Sequence, residues 1–204
     1  MRNLLRLLRE PVPRGPSARR TPASLYALLI ALGLLLSALP LAARAQAASE
    51  TSVKAAYLFK FLNYVDWPPT AFANDSSPYV IGIANADAMA DDLSHQIAGR
   101  RVHNRAVAVR KIGATDKPTG LQVLFIGNGA GARQLELQKQ VQSQPVLVVT
   151  ESESAPAPGS MINFTLVDDR VRFTVALGPV NKAGLHINSR MLEVALSVTK
   201  EGQQ

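Results

Sequence analysis

The residues able to do chemistry are few, and their spacing is unhelpful for catalysis. Gly127-x-Gly129-x-Gly131 separates an apolar run from an amphipathic one. A turn of this kind can aim backbone N–H groups at an anion where a helix begins. The spacing is not the G-x-G-x-x-G of dinucleotide binding, so a plain strand-to-helix turn is the simpler reading. The histidines are His95, His103 and His186, on a helix, a turn and a loop, without a metal-ligand repeat such as H-x-x-x-H. Asp91-Asp92 and Asp168-Asp169 are neighbouring carboxylates. The first pair points apart on a helix and the second suits a hairpin tip, so neither forms a buried acid/base pair. The chain has no cysteine, which removes thiolate nucleophiles, thiolate zinc sites and any disulfide framework. No G-x-S-x-G elbow is present. These patterns predict no catalytic residue, no metal site and no cofactor, hence a protein that is not an enzyme.

One concentration of side chains remains. Tyr57, Phe61, Tyr64 and Trp67 gather on one segment, in a chain with only 6 Phe, 4 Tyr and 1 Trp. Aromatics grouped on one helix are either core or the anchors of a binding face.

The elements that must hold these residues follow from periodicity. Apolar residues at 3-4-3 spacing (Val53, Ala56, Tyr57, Phe61, Tyr64) predict a helix over Ser49–Val65. Leu58, Leu62 and Val65 add a second apolar row, so this helix is buried broadly or lies against a partner, with mainly Lys54, Lys60 and Asn63 left polar. Trp67-Pro68-Pro69 ends it, because a residue before proline avoids the helical region. Strands are predicted at Tyr79–Ala84, Ala106–Ile112, Leu121–Ile126 and Pro145–Thr150, the last two continuously apolar as in strands covered on both faces. Helices are predicted at Asp87–Ile97 and Ala132–Gln142, with a polar turn at Gly99–Asn104. Met161–Val167 and Val171–Leu177 alternate about Asp168-Asp169-Arg170, a hairpin signature. Asn188 or Ser189 caps a last helix running to Val198. The expected class is therefore α/β: one small domain over 49–200, with a parallel-rich mixed sheet flanked by helices and closed by a C-terminal β-hairpin and helix. Ser152–Gly159 reads as a surface loop.

The charge is unevenly placed. Of 22 basic and 15 acidic residues, residues 1–45 hold seven arginines and one acid, so the rest is nearly neutral. A basic nucleic-acid surface is therefore not expected on the folded part. An Arg-rich start, an apolar run from Leu25 to Leu39, Pro40, and A-x-A sites at Ala43–Ala45 and Ala45–Ala47 have the layout of a cleaved export signal over 1–45, with cleavage near Ala45 or Ala47. The expected location is the periplasm, where nucleotide cofactors are not supplied. The remaining length is enough to bury a core without disulfides.

Several segments, taken in order, resemble the YfiR-like family of periplasmic repressors of membrane diguanylate cyclases. They are Val53-Lys-Ala-Ala-Tyr-Leu-Phe-Lys-Phe-Leu-Asn-Tyr-Val-Asp-Trp-Pro68, Pro145–Thr150, Gly159–Phe164, Val171-Arg-Phe173 and Gly184-Leu-His-Ile-Asn-Ser-Arg-Met-Leu192. The resemblance implies a regulator without catalytic activity that binds the periplasmic sensor domain of an inner-membrane diguanylate cyclase. Its effect would be to lower cyclic di-GMP output and biofilm signalling. It implies a possible homodimer. It also implies a pocket for a small aromatic ligand between the first helix and the Gly184–Ser189 segment. By motif position, Phe61 and Tyr64 with His186 and Asn188 would line that pocket, while Tyr57 and Leu62 share the partner-binding face. The alternative is a periplasmic sensor of an aromatic or nucleotide ligand acting on another membrane partner, such as a histidine kinase. Without cysteine, thiol-based redox control does not apply here.

Overall fold

The computed structural model describes residues 50–152 and 156–200. The export signal expected over 1–45 lies outside them. The expected α/β class holds. An eight-stranded sheet runs in the order β10-β8-β7-β6-β5-β2-β4-β3, beside a separate two-stranded pair β1-β9. The strands are β1 (Val65–Asp66), β2 (Tyr79–Ala84), β3 (Arg101–Val102), β4 (Arg105–Ile112), β5 (Val123–Ile126), β6 (Leu147–Glu151), β7 (Ile162–Val167), β8 (Arg170–Ala176), β9 (His186–Ile187) and β10 (Ser197–Thr199). The helices are α1 (50–61), α2 (Asp87–Gln96), α3 (Ala132–Val141), α4 (Leu177–Lys182) and α5 (Ser189–Glu193).

The sheet centre follows from the apolar runs. β2, β4, β5, β6 and β7 are parallel neighbours, and every residue of β5 is buried. A strand covered on both faces can be apolar throughout, which is what the run Val123–Ile126 provides. The hairpin β7–β8 is antiparallel and turns on Asp168-Asp169, both at positive φ (50° and 57°). Tight two-residue hairpins need that backbone region at both positions, and Asp tolerates it better than most residues. The expected in/out alternation of β7 holds only partly. Ile162, Asn163 and Phe164 are all buried between β6 and β8, while Leu166 and Val167 are exposed. Asn163 is satisfied inside by the Thr150 hydroxyl at 2.9 Å and the Ser152 carbonyl at 3.1 Å.

Some expectations are corrected. The first helix stops at residue 61 instead of Val65, and residues 62–64 form a turn. Val65-Asp66 then extends, because Pro68 disfavours helix before it and β9 offers a backbone partner. The polar segment Gly99–Asn104 contains strand β3; the turn itself is His103-Asn104, again with positive φ at both residues (46° and 63°). The strand expected to reach Leu177 ends at Ala176, and Leu177 opens α4, with Pro179 in a first turn where its missing N–H costs nothing. The last helix does not run to Val198. Asn188 does cap it, accepting from the Arg190 amide at 3.0 Å, but α5 ends at Glu193. Ser197–Thr199 instead pairs in parallel with β8, introduced by a Leu196 amide to Phe173 carbonyl bond of 2.8 Å.

The core lies on α1 and the sheet. Tyr57 and Phe61 pack on Phe164 and Phe173, with ring centroids 5.3–6.0 Å apart. Such pairs contribute beyond the area they bury. Trp67 leaves this cluster. Its indole donates to the Gln122 carbonyl at 3.1 Å, and its ring meets Tyr79 edge-on at 5.4 Å.

Candidate functional site

The expected binding residues divide into two groups. Phe61 is 2% exposed and Leu62 is fully enclosed. Phe61 stacks on Phe164 at 5.9 Å and meets Phe173 edge-on at 5.3 Å. Both residues therefore belong to the core. Tyr57 is half-buried, its ring closing the same aromatic group from the side. Tyr64, 39% exposed, is the aromatic of the set that faces solvent.

Local geometry explains why Tyr64 points outward. The end of α1 tightens, with the Leu62 amide donating to the Phe59 carbonyl at 3.3 Å and the Tyr64 amide to the Phe61 carbonyl at 3.0 Å. The chain then becomes β1, antiparallel to β9, with Val65 opposite Ile187 and Asp66 opposite His186. Side chains alternate along a strand, and directly opposed residues share a face. Val65 and Ile187 are buried, so Asp66 and His186 point the other way. Tyr64 and Asn188 flank the pair, and the Asn188 amide donates to the Tyr64 carbonyl at 2.8 Å. Tyr64, Asp66, His186 and Asn188 are all exposed. They place a phenol, a carboxylate, an imidazole and a carboxamide side by side on a pinned backbone.

Asn188 has a second duty. Its side-chain oxygen caps α5, so it fixes the segment and leaves its NH2 group to face outward. Asp66 was not anticipated as part of this surface. The only signal was its place before Trp67-Pro68, which forces an extended backbone there. The four groups offer hydrogen bonds and one aromatic face. No serine, threonine or lysine stands among them as a nucleophile.

A second polar cluster sits at the carboxyl ends of β2, β5 and β6. Lys54 on α1, nine-tenths buried, pairs with Glu50 and with Glu151 at the end of β6, the latter at 2.7 Å. Burial works against the ammonium, but hydrogen bonds to Glu151 and Glu50 outweigh it and hold the Lys54 pKa above the ordinary lysine value. The second oxygen of Glu151 accepts from the Asn128 amide at 2.8 Å. That amide belongs to the glycine turn. Gly127 passes so close to β2 that a Cβ there would stand 2.5 Å from the Asn85 carbonyl oxygen. Gly127 thus serves a close backbone crossing, Gly129 and Gly131 take positive φ in the turn, and the Asn128 N–H that could meet a phosphate already holds a carboxylate. The residues present do not fit a nucleotide phosphate.

The histidines are apart in kind. His95 is exposed on α2, His103 turns the β3–β4 hairpin with its ring nitrogen 3.4 Å from the Tyr79 hydroxyl, and His186 is on β9. Among the described residues no group of three or more His, Cys, Asp or Glu could hold a metal ion. No helix among them is long and apolar enough to cross a membrane.

A protein-family model described as YfiR/HmsC-like matches residues 51–196. No curated protein matches the chain.

Proposed function

Since the chain belongs to the YfiR/HmsC-like family, we propose that it is a periplasmic regulator of diguanylate cyclase signalling. In this reading it binds the periplasmic sensor domain of an inner-membrane cyclase and favours the inactive state, lowering cyclic di-GMP. The observation that carries the reading is the family match, which extends over nearly all of the described residues and includes both strands of the β1–β9 pair. The Tyr64–Asp66–His186–Asn188 face supports it. Its backbone is fixed by pairing and by the α5 cap, so little ordering entropy is lost on binding. Holding a partner at 99:1 against a natural 1:99 needs about 5.5 kcal/mol of differential affinity. A few well-placed aromatic and polar anchors supply that amount in other interfaces.

Cyclic di-GMP in a deletion strain tests the reading. The level rises, and the exported full-length protein restores it whereas a leaderless form does not. Tyr64→Ala with His186→Ala, exported and folded, fails to restore it. If the deletion leaves cyclic di-GMP unchanged, the cyclase link is wrong. Another membrane partner, such as a histidine kinase, then becomes the better account.

A further inference from the structure

A cleft of about 470 Å³ opens between α3, the 158–161 segment and α4. It shares no residue with the Tyr64–His186 face. Helical spacing sets one wall. Leu137 of α3 points into the core, Val141 is buried at the cleft's edge, and Leu135, Gln138 and Gln142 form the neighbouring stripe along it. Val148, Met161 and Pro179 supply an apolar floor and side, and the exposed Lys139 and Lys182 stand at the rim. Neither lysine has a carboxylate within ion-pair distance among the described residues.

Gln138 is the anomaly. It is 7% exposed, and neither its amide nitrogen nor its oxygen has a hydrogen-bond partner among the described residues. Buried side-chain polar atoms are almost always paired, so an amide with both ends unpaired calls for a reason. An apolar residue at this position would pack without that penalty. Gln138 lines the cleft, and its last side-chain torsion is soft, so its enclosed amide is the polar group of that wall free to reorient toward a guest.

We propose that this cleft is a small-molecule site for an amide-bearing carboxylate with an apolar side chain, such as an N-acylated amino acid. Gln138 pairs with the ligand's amide, giving one hydrogen bond and accepting one. Lys139 and Lys182 hold the carboxylate at the rim. Val148, Met161 and Pro179 cover the apolar side chain. The volume is within the range of about 300–1,000 Å³ usual for such ligands. This site stands whether or not the protein acts on a cyclase.

N-acetyl-L-leucine is the probe, titrated at millimolar concentration into the mature exported chain, purified after removal of its leader, while amide resonances are recorded. The Gln138 side-chain NH2 signals, identified by their loss in Gln138→Leu, shift saturably, and the melting temperature rises with ligand. Gln138→Leu, which removes an unpaired buried amide, melts no lower than the wild type yet binds at least about ten-fold more weakly. Lys139→Gln with Lys182→Gln, both at exposed positions, weakens binding about ten-fold and removes its salt dependence. N-acetyl-L-leucinamide, without the carboxylate, binds the wild type as weakly as the acid binds that double variant. Absence of a saturable shift in the wild type overturns the proposal. So does unchanged affinity in Gln138→Leu or in the lysine double variant.

Discussion

The two ends of α1 carry polar clusters of opposite character. Near its start, Lys54 lies between Glu50 and Glu151, and Glu151 also takes the Asn128 amide, so the charged groups satisfy one another inside the protein. Beyond its other end, Tyr64, Asp66, His186 and Asn188 stand on an outward face, with only the Asn188 oxygen used internally. The first cluster occupies the place where open α/β sheets usually take ligands, outside the carboxyl ends of strands where strand order reverses. Here β2 lies between β4 on one side and β5 on the other, so the crevice is at the ends of β2 and β5. The chain's own ion pairs line what space is left there, and the net negative charge of two carboxylates against one ammonium disfavours an anionic guest. The outward face has been built elsewhere, on a two-stranded pair that is not part of the main sheet. The proposed binding face thus lies where polar groups are left unspent, not at the usual crevice.

The sharpest way to break the comparison is to attack the core that supports both ends. Leu62→Asp puts a charge where no solvent reaches and should abolish folding, while Phe61→Ala removes a ring held by three others and should cost about 3–5 kcal/mol in urea unfolding. If Phe61→Ala instead keeps full stability and loses only partner binding, Phe61 belongs to the binding face after all. A smaller loss is expected at the closed cluster. Lys54→Met leaves two carboxylates without their cation and should cost about 3 kcal/mol, the low end for breaking a buried pair, since both carboxylates keep some water.

The same variant sharpens the electrostatics. The folded pKa of Lys54 is raised, so the fold favours the protonated amine. That contribution is complete below the unfolded value of about 10.4 and is lost as pH rises through the folded value. Burial also raises the Tyr79 phenol, helped by Asp66 and opposed by Arg105, which adds a parallel alkaline loss. The difference between wild type and Lys54→Met in unfolding midpoint should therefore shrink above pH 10.4 or so and stay flat between about pH 7 and 10. A difference that is constant with pH would mean that the ion pairs do not carry the effect. The smallest stability effect is expected at the open face. Tyr64→Ala and His186→Ala should each change stability by no more than about 0.5 kcal/mol, with their consequence confined to binding.

What the sequence made legible follows this division. The central strands and α2 and α3 announce themselves, since a continuous apolar run or a 3.6-residue stripe is a local pattern. The pieces that escaped are short and depend on remote partners. Val65-Asp66 is extended partly because Ile187 and His186 lie opposite, and Ser197–Thr199 is a strand because Thr174–Ala176 is beside it. Nothing within a few residues of either segment states that. Lys54 looked like a polar position on a helix because its partner Glu151 is far along the chain. Phe61 and Leu62 looked available because α1 carries two apolar rows, and only the three-dimensional packing shows that the sheet and its aromatics cover both. Tyr64 and the Gly184–Ser189 segment were legible as a pair through the resemblance, whereas Asp66 became visible only with the strand register.

The β1–β9 pairing joins segments that lie near opposite ends of the described chain. Closing so long a loop costs little more than closing a moderate one, yet it can happen only after almost the whole polypeptide is present. A nascent or proteolytically shortened chain lacking residues beyond about 185 would still carry Tyr64 and Asp66, but without their opposing strand. If the outward face engages the partner proposed above, it doubles as an integrity check, since a fragment would lack the strand that completes the face.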